Sequence, residues 1–286
     1  MGEKNRPLLG ALVAIAAYIP MALIGAFTKA LPDGFPVMET LFFQCVLPLL
    51  VAVPLTARRG FRTTHPWLHC TRSVSGLLAF AGYLLAARLI PLVDATLFIT
   101  TSPLWIPFVI LVWKRERIYR HIWWGIVIGF AGVLLVLHPD RGVFHWASLI
   151  GLSTGLTLGI GYVAVSLLSS TEPNSRIVFY FMLLCTLFAL PFTIAQWMTP
   201  TVVEWWFLLG IGLSMTANQY LINWALSLAR PSVIGPLAFS APVFAGVIGW
   251  IVWHEVPTWL TLIGMALVII GGTACILAGQ KSKTEH

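Results

Sequence analysis

One long stretch of this chain occurs twice. Residues 96–132 read TLFITTSPLWIPFVILVWKRERIYRHIWWGIVIGFAG, and residues 235–271 read GPLAFSAPVFAGVIGWIVWHEVPTWLTLIGMALVIIG. An offset of 139 positions takes Pro103 to Pro242, Glu116 to Glu255, Gly125 to Gly264 and Gly132 to Gly271. The same offset takes Ala86 to Ala225 and Leu89 to Leu228 in the preceding segment. Each copy reads as an apolar helix with a small-residue–Pro step, then a Glu, then a second apolar helix carrying spaced glycines. The unit is too long for a solenoid repeat. In a membrane chain it is the expected mark of a protein made of two structural halves.

Composition places the chain in a membrane. Hydrophobic residues make up 58% and charged residues 9%, where a soluble domain carries about a quarter charged residues. A bilayer crossing needs about 20 apolar residues. Ten segments meet that need, at 8–31, 36–57, 71–90, 91–112, 119–138, 146–169, 174–197, 203–229, 232–253 and 257–279. Turns are expected near Pro91 and Pro231, and the tail after Gly279 is expected to be disordered. Five crossings per half is an odd number, so the second half starts on the side opposite to the first. The expected fold is an all-α integral membrane protein: ten transmembrane helices as two inverted five-helix repeats, residues 1–140 and 141–286, around a central cavity.

Charge sets the orientation. With the N-terminus inside, only Lys29, Arg88 and Arg141 of the 17 Lys and Arg lie on the outer side. The positive-inside rule therefore puts both termini in the cytoplasm. The net charge of +7 is then a topology signal, with Arg72 and the clusters RRGFR and KRERIYR counted in it, and not the footprint of a nucleic-acid binder. Four cysteines without a CxxC pattern read as packing residues. His65 and His69, with Cys70 adjacent, are weak metal candidates because Pro66 interrupts them and no carboxylate is near. There is no HExxH, GxSxG or P-loop, so neither an enzyme nor a cofactor is expected.

Pro103…Glu116…Gly125…Gly132, its echo Pro242…Glu255…Gly264…Gly271, and the first-half runs LFFQCVLPLLVAVPLTARRG, LHCTRS and ARLIPLVDATLFITTSPLW resemble the drug/metabolite transporter superfamily, in its EamA-type branch. The likeness covers essentially the whole chain. It is similar to the subgroup that includes riboflavin and S-adenosylmethionine carriers and metabolite exporters. The resemblance implies a secondary transporter of the bacterial inner membrane, with a central cavity opened alternately to either side. Gln44, in FFQC, stands where that subgroup commonly has Arg, which argues against an anionic substrate group at that position.

Polar side chains at membrane depth face a cavity or a partner helix. The candidate substrate-binding residues are Gln44, Tyr83, Thr100, Trp105, Tyr162, Asn218, Gln219 and Asn223. Gln219 and Asn223, four apart, share a helix face, while their mates at the 139 offset, Phe80 and Leu84, are apolar. Interhelical hydrogen bonding is the plainer role for the amides. Thr100 precedes Pro103 and is as well explained by repair of a broken helix. Pro103 and Pro242 are the candidate bending points. Lys29, Glu39, Arg88 and Asp94, near the outer ends of the first helices, are candidates for an outer gate, and Glu39 and Asp94 for carrying a coupling proton. Glu116 and Glu255 read as helix N-terminal charges. The expected function is export of an amino acid or amino-acid-derived compound. The alternative is uptake of S-adenosylmethionine, riboflavin or a nucleoside-like compound.

Overall fold

The computed structural model describes residues 7–114, 120–136, 146–168, 171–228 and 235–284. Of Asn223 it describes only the backbone. Glu116, Arg141 and the turn near Pro231 lie outside the described residues. Among the described residues the chain is helical and contains no strand. The helices are α1 (Pro7–Ala30), α2 (Val37–Ala57), α3 (Pro66–Leu89), α4 (Leu92–Ile99), α5 (Ser102–Lys114), α6 (Arg120–Val136), α7 (Trp146–Leu168), α8 (Asn174–Ala195) and α9 (Val202–Leu228). A 3-10 turn at Gly235–Phe239 then leads into α10 (Ser240–Trp253) and α11 (Trp259–Thr284).

Among the described residues, six stretches are long and apolar enough to cross a membrane: Leu8–Ala30, Val37–Ala57, Pro66–Leu89, Leu92–Trp113, Trp146–Val165 and Asn174–Ala195. Shorter apolar helices occupy Trp123–Leu135, Leu237–Trp253 and Trp259–Ala274. Large apolar side chains point outward along them, among them Val112, Trp124, Ile251 and Trp259. Hydrocarbon, unlike water, imposes no cost on such a surface.

Three boundaries differ from expectation. Helix α3 starts at Pro66 and not at residue 71, because proline fits the first helical turn, where its missing N–H has no partner to lose. The fourth apolar segment breaks at Thr100 and Thr101 into α4 and α5. Pro103 has no N–H for the Ile99 carbonyl, and the hydroxyls of Thr100 and Thr101 turn back onto the carbonyls of Leu97 (2.8 Å) and Phe98 (2.7 Å). The tail expected to be disordered continues α11 as far as Thr284. No proline interrupts the sequence there.

The packing pattern is reciprocal. Helix α1 packs on α9 and α7 on α3; α5 packs on α7 and α10 on α1; α2 packs on α9 and α8 on α3. Helices α2 and α8 pack on each other, as do α6 and α11. Exchanging each helix for its mate at the 139 offset interchanges the first six pairs two by two and returns α2–α8 and α6–α11 to themselves. The glycines of the repeat sit in the α6–α11 seam. A Cβ on Gly132 would stand 2.5 Å from the Gly264 carbonyl oxygen, and a Cβ on Gly271 would stand 2.5 Å from the Gly125 carbonyl oxygen. The early glycine of each helix thus meets the late glycine of the other, so the two run antiparallel. Backbones this close need small residues, as is usual for helix contacts in lipid.

Candidate functional site

A cavity of about 180 Å³ lies among α1, α3, α7, α8 and α9. Its apolar wall includes Met21, Ile24, Phe80, Leu158, Val165, Ile177, Val178, Phe181, Met215 and Ile222. Its polar side chains are Tyr18, Arg72 and Tyr83 from the first half of the sequence, and Tyr162, Asn174, Asn218 and Gln219 from the second. A second cavity, of about 390 Å³, shares Asn174, Val178 and Gln219 with the first and reaches Arg58 and Arg59 past the end of α2. The central space therefore continues towards the basic end of the bundle.

Tyr83 and Tyr162 line the central cavity, and the Tyr83 hydroxyl pairs with Thr96 Oγ1 at 3.2 Å. Asn218 donates from Nδ2 to the Ala17 carbonyl at 2.9 Å, which ties α9 to α1. Gln219 is the side chain common to both cavities besides Asn174 and Val178. Asn223 lies one helical turn further along α9, with its side chain outside the described residues. Gln44 is fully buried behind the cavity wall, its Nε2 3.8 Å from the sulfur of the wall residue Met215. Thr100 bonds its own helix, and Trp105 packs edge-on against Phe130 at 4.7 Å while donating to Thr101 Oγ1 at 3.3 Å. Neither Thr100 nor Trp105 lines the central cavity. Pro103 sits in the first turn of α5 just after the break, and Pro242 in the first turn of α10 just after the 3-10 turn.

Among the cavity side chains that the sequence does not single out as binding residues are Tyr18, Arg72, Asn174 and Phe181. By sequence Arg72 belongs with the inner topology charges. It is instead buried, at 7% exposure, with its guanidinium carbon 3.9 Å from the centre of the Phe181 ring. Its place six residues after Pro66, where α3 begins, is the available sign, since an intramembrane cation marks a functional site by default.

At the opposite end of the bundle, Lys29 forms an ion pair with Glu255, and Glu255 also accepts the Leu92 N–H at 3.1 Å. This links the C-terminal end of α1 and the start of α4 to the α10–α11 connection. Glu255 lies four residues before α11 begins, so the partner of its charge is Lys29 and not the N-terminus of that helix. Arg88 donates to the Phe35 carbonyl and to Thr40 Oγ1. Glu39 is fully buried and accepts the Met198 N–H at 3.1 Å. Asp94 is buried in the first turn of α4. Of the four residues expected at the outer gate, the structure brings Lys29 to Glu255 and anchors Arg88 and Glu39 to backbone.

At the basic end, Glu172 accepts from Thr63 Oγ1 (2.6 Å), the Thr64 N–H (3.3 Å) and Arg176 Nη1 (2.8 Å). Burial pushes its pKa up, but the bonds from Thr63 and Arg176 outweigh that and hold the carboxyl below its usual value. His69 Nε2 is 3.8 Å from the same carboxylate. Among the described residues no group of three His, Cys, Asp or Glu is placed to hold a metal ion.

The EamA-like transporter family model matches residues 8–138 and again 145–277. The chain is similar to the pseudopaline exporter CntI of Pseudomonas aeruginosa (strain UCBPP-PA14), with 28% identity over 96% of this chain and 97% of that one. It is similar to a riboflavin transporter of Vibrio cholerae serotype O1, with 26% identity over 94% of this chain and 93% of the relative. An S-adenosylmethionine uptake transporter of Rickettsia bellii is 23% identical over 85% of this chain and 84% of its own. A protein of known crystal structure shares the fold, with a TM-score of 0.64 and 19% identity over 96% of this chain and 98% of that one.

Proposed function

The chain belongs to the EamA-like transporter family, and on that premise we propose that it carries a small organic metabolite across the bacterial inner membrane by alternating access. The observation that carries this reading is the central cavity. It is walled by helices of both sequence halves, it holds polar groups among apolar helices, and it adjoins, at Asn174 and Gln219, a second cavity that reaches the basic end. With the basic end taken as cytoplasmic, the arrangement corresponds to an inward-open carrier closed outside by Lys29 and Glu255.

The proposal includes ten crossings in two inverted five-helix repeats, 1–140 and 141–286, with both termini cytoplasmic. The reciprocal packing and the antiparallel α6–α11 seam support it. Rocking of one half against the other would use the breaks next to Pro103 and Pro242. Lys29, Arg88, Glu39 and Asp94 belong to the outer closure in this reading, and Glu39 and Asp94 are its candidates for moving a proton. The preferred direction is export of an amino acid or amino-acid-derived compound. A relative named as an exporter favours that direction, and the amide wall suits a zwitterion. Uptake is the second reading, favoured by the relatives named for riboflavin and S-adenosylmethionine.

Sidedness separates the two: an exporter protects cells from the added compound, and an importer rescues an auxotroph. Transport measured in proteoliposomes tests the site. Gln219→Ala or Asn218→Ala should lose most transport while the protein stays folded, and normal rates in both would sink the assignment of the cavity.

A further inference from the structure

We infer that Arg72 is the anion-binding post of the central cavity, and that the cargo is an amphipathic solute bearing a carboxylate. The cargo part rests on the transporter reading; the anion site itself does not. Arg72 is more than nine-tenths buried and lines the cavity, and its Nε and Nη1 have no hydrogen-bond partner among the described residues. Among the described residues no Asp or Glu lines that cavity. A cation held in this way is costly at membrane depth, and such residues ordinarily pair with a counter-charge.

The surroundings of Arg72 hold the guanidinium rather than neutralise it. The Phe181 ring covers one face at 3.9 Å, a cation–π contact that leaves the in-plane N–H groups without a partner, Nε and Nη1 being buried, so that an arriving anion engages them through a small shift of the side chain. Two glycines make room for it. A Cβ on Gly76 would stand 2.5 Å from Nη1, and a Cβ on Gly161 would stand 3.2 Å from it. A planar fork with free donors matches a carboxylate through two parallel hydrogen bonds, which a lysine ammonium does not reproduce. Phe80, Leu158, Ile177 and Ile222 form an apolar wall in the same cavity, which suits a hydrocarbon or aromatic body attached to the carboxylate. The position 139 further on is Ile211, also buried, so the charge belongs to one half only. Gln44, where the resemblance led one to look for a cation, sits behind the wall; the cation of this cavity comes from α3.

The oxyanion chemistry is shared by inorganic phosphate and by the phosphate of an anionic lipid, and the test separates the three sources. Melting of the purified full chain in detergent is followed with amphipathic amino acids, N-acyl amino acids and aryl carboxylates, each beside its own amide. Inorganic phosphate and phosphatidylglycerol are added as separate arms. A ligand that binds the folded state raises the melting temperature with its concentration. The expected result is a shift by at least one carboxylate and none by its amide. In Arg72→Gln the apparent affinity should fall about 10- to 100-fold, the loss of a charged hydrogen-bonded pair. Arg72→Lys should recover part of it.

Arg72→Met should melt no lower than the unliganded wild type, because an apolar side chain of similar length removes an uncompensated charge. Equal shifts by acid and amide, unchanged affinity in Arg72→Gln, or no shift by any carboxylate would overturn the proposal. So would a marked loss of stability in Arg72→Met, which would assign Arg72 to the scaffold. A response to phosphate or lipid alone would overturn the carboxylate solute. The hit is then offered to proteoliposomes. Binding through Arg72 without transport would refute the carrier reading and leave the anion site standing, whereas equal transport by wild type and Arg72→Gln would do the reverse.

Discussion

Neutralising Lys29 should open the outer end of the cavity. Its ion pair with Glu255 is largely shielded, the two side chains being 13% and 23% exposed. At about 4 Å and an effective dielectric of about 20, two unit charges attract by roughly 4 kcal/mol. Desolvation offsets part of that, and hydrogen bonds to charged groups retain about 1.5–3 kcal/mol net. If the pair exists only in the outward-closed state, Lys29→Met shifts the closed-to-open ratio by about 2 kcal/mol, or roughly 30-fold. The assay places a cysteine at Ile24, a buried cavity residue on the same helix, in a chain whose native cysteines are replaced. Modification by a membrane-impermeant maleimide is timed from the outer side. Labelling should accelerate by at least about tenfold in Lys29→Met. The charge swap Lys29→Glu with Glu255→Lys should restore much of the protection. Unchanged labelling in well-folded Lys29→Met would refute the argument that this pair holds the outer end shut.

The α6–α11 seam predicts a matched pair of effects. Gly132→Ala and Gly271→Ala each drive a methyl into partner backbone, an overpacking cost of about 1–3 kcal/mol that exceeds the usual ~0.5–1 kcal/mol helical gain of Gly→Ala. Both should lower the melting temperature by similar amounts, whereas Gly129→Ala, which meets the flexible end of Leu104, should cost less; equal melting of all three variants would contradict the seam. Glu172 predicts a pH dependence. Its folded pKa lies below the unfolded one, so its contribution is complete above the unfolded value and is lost as pH falls through the folded value. Glu172→Gln should lose about 2 kcal/mol at neutral pH and show a flatter stability profile below pH ~4.5, checked by melts across pH. His254 has φ of 55°, so His254→Gly should be neutral or slightly stabilising and His254→Val should cost about 1–2 kcal/mol in the same melts.

The 139-residue repeat, the helical character of the apolar segments, the prolines at the broken helices and the small residues of the seam could all be read along the chain. Each depends on local periodicity or on spacing within one stretch, and the covalent backbone carries that information directly. Which side chains share a space is different, because it depends on how each helix is rotated about its own axis against neighbours far away in sequence. The amides Asn218 and Gln219 and the deep aromatics Tyr83 and Tyr162 line the cavity; Thr100, a hydroxyl before Pro103, and Trp105, a deep aromatic like the tyrosines, turn onto their own helix or an aromatic cluster. By sequence Arg72 is an inner topology charge at the start of the third segment, whereas α3 begins at Pro66 and carries that residue into the bundle and onto Phe181. Glu255 matched Glu116 by offset, yet its ion pair is with Lys29, 226 residues away. The sequence by itself determined a membrane protein of repeated helical segments, because apolar length and helical period are local quantities. Only the tertiary structure decided where its charges meet, because a contact between distant helices is a property of their packing and of neither helix alone.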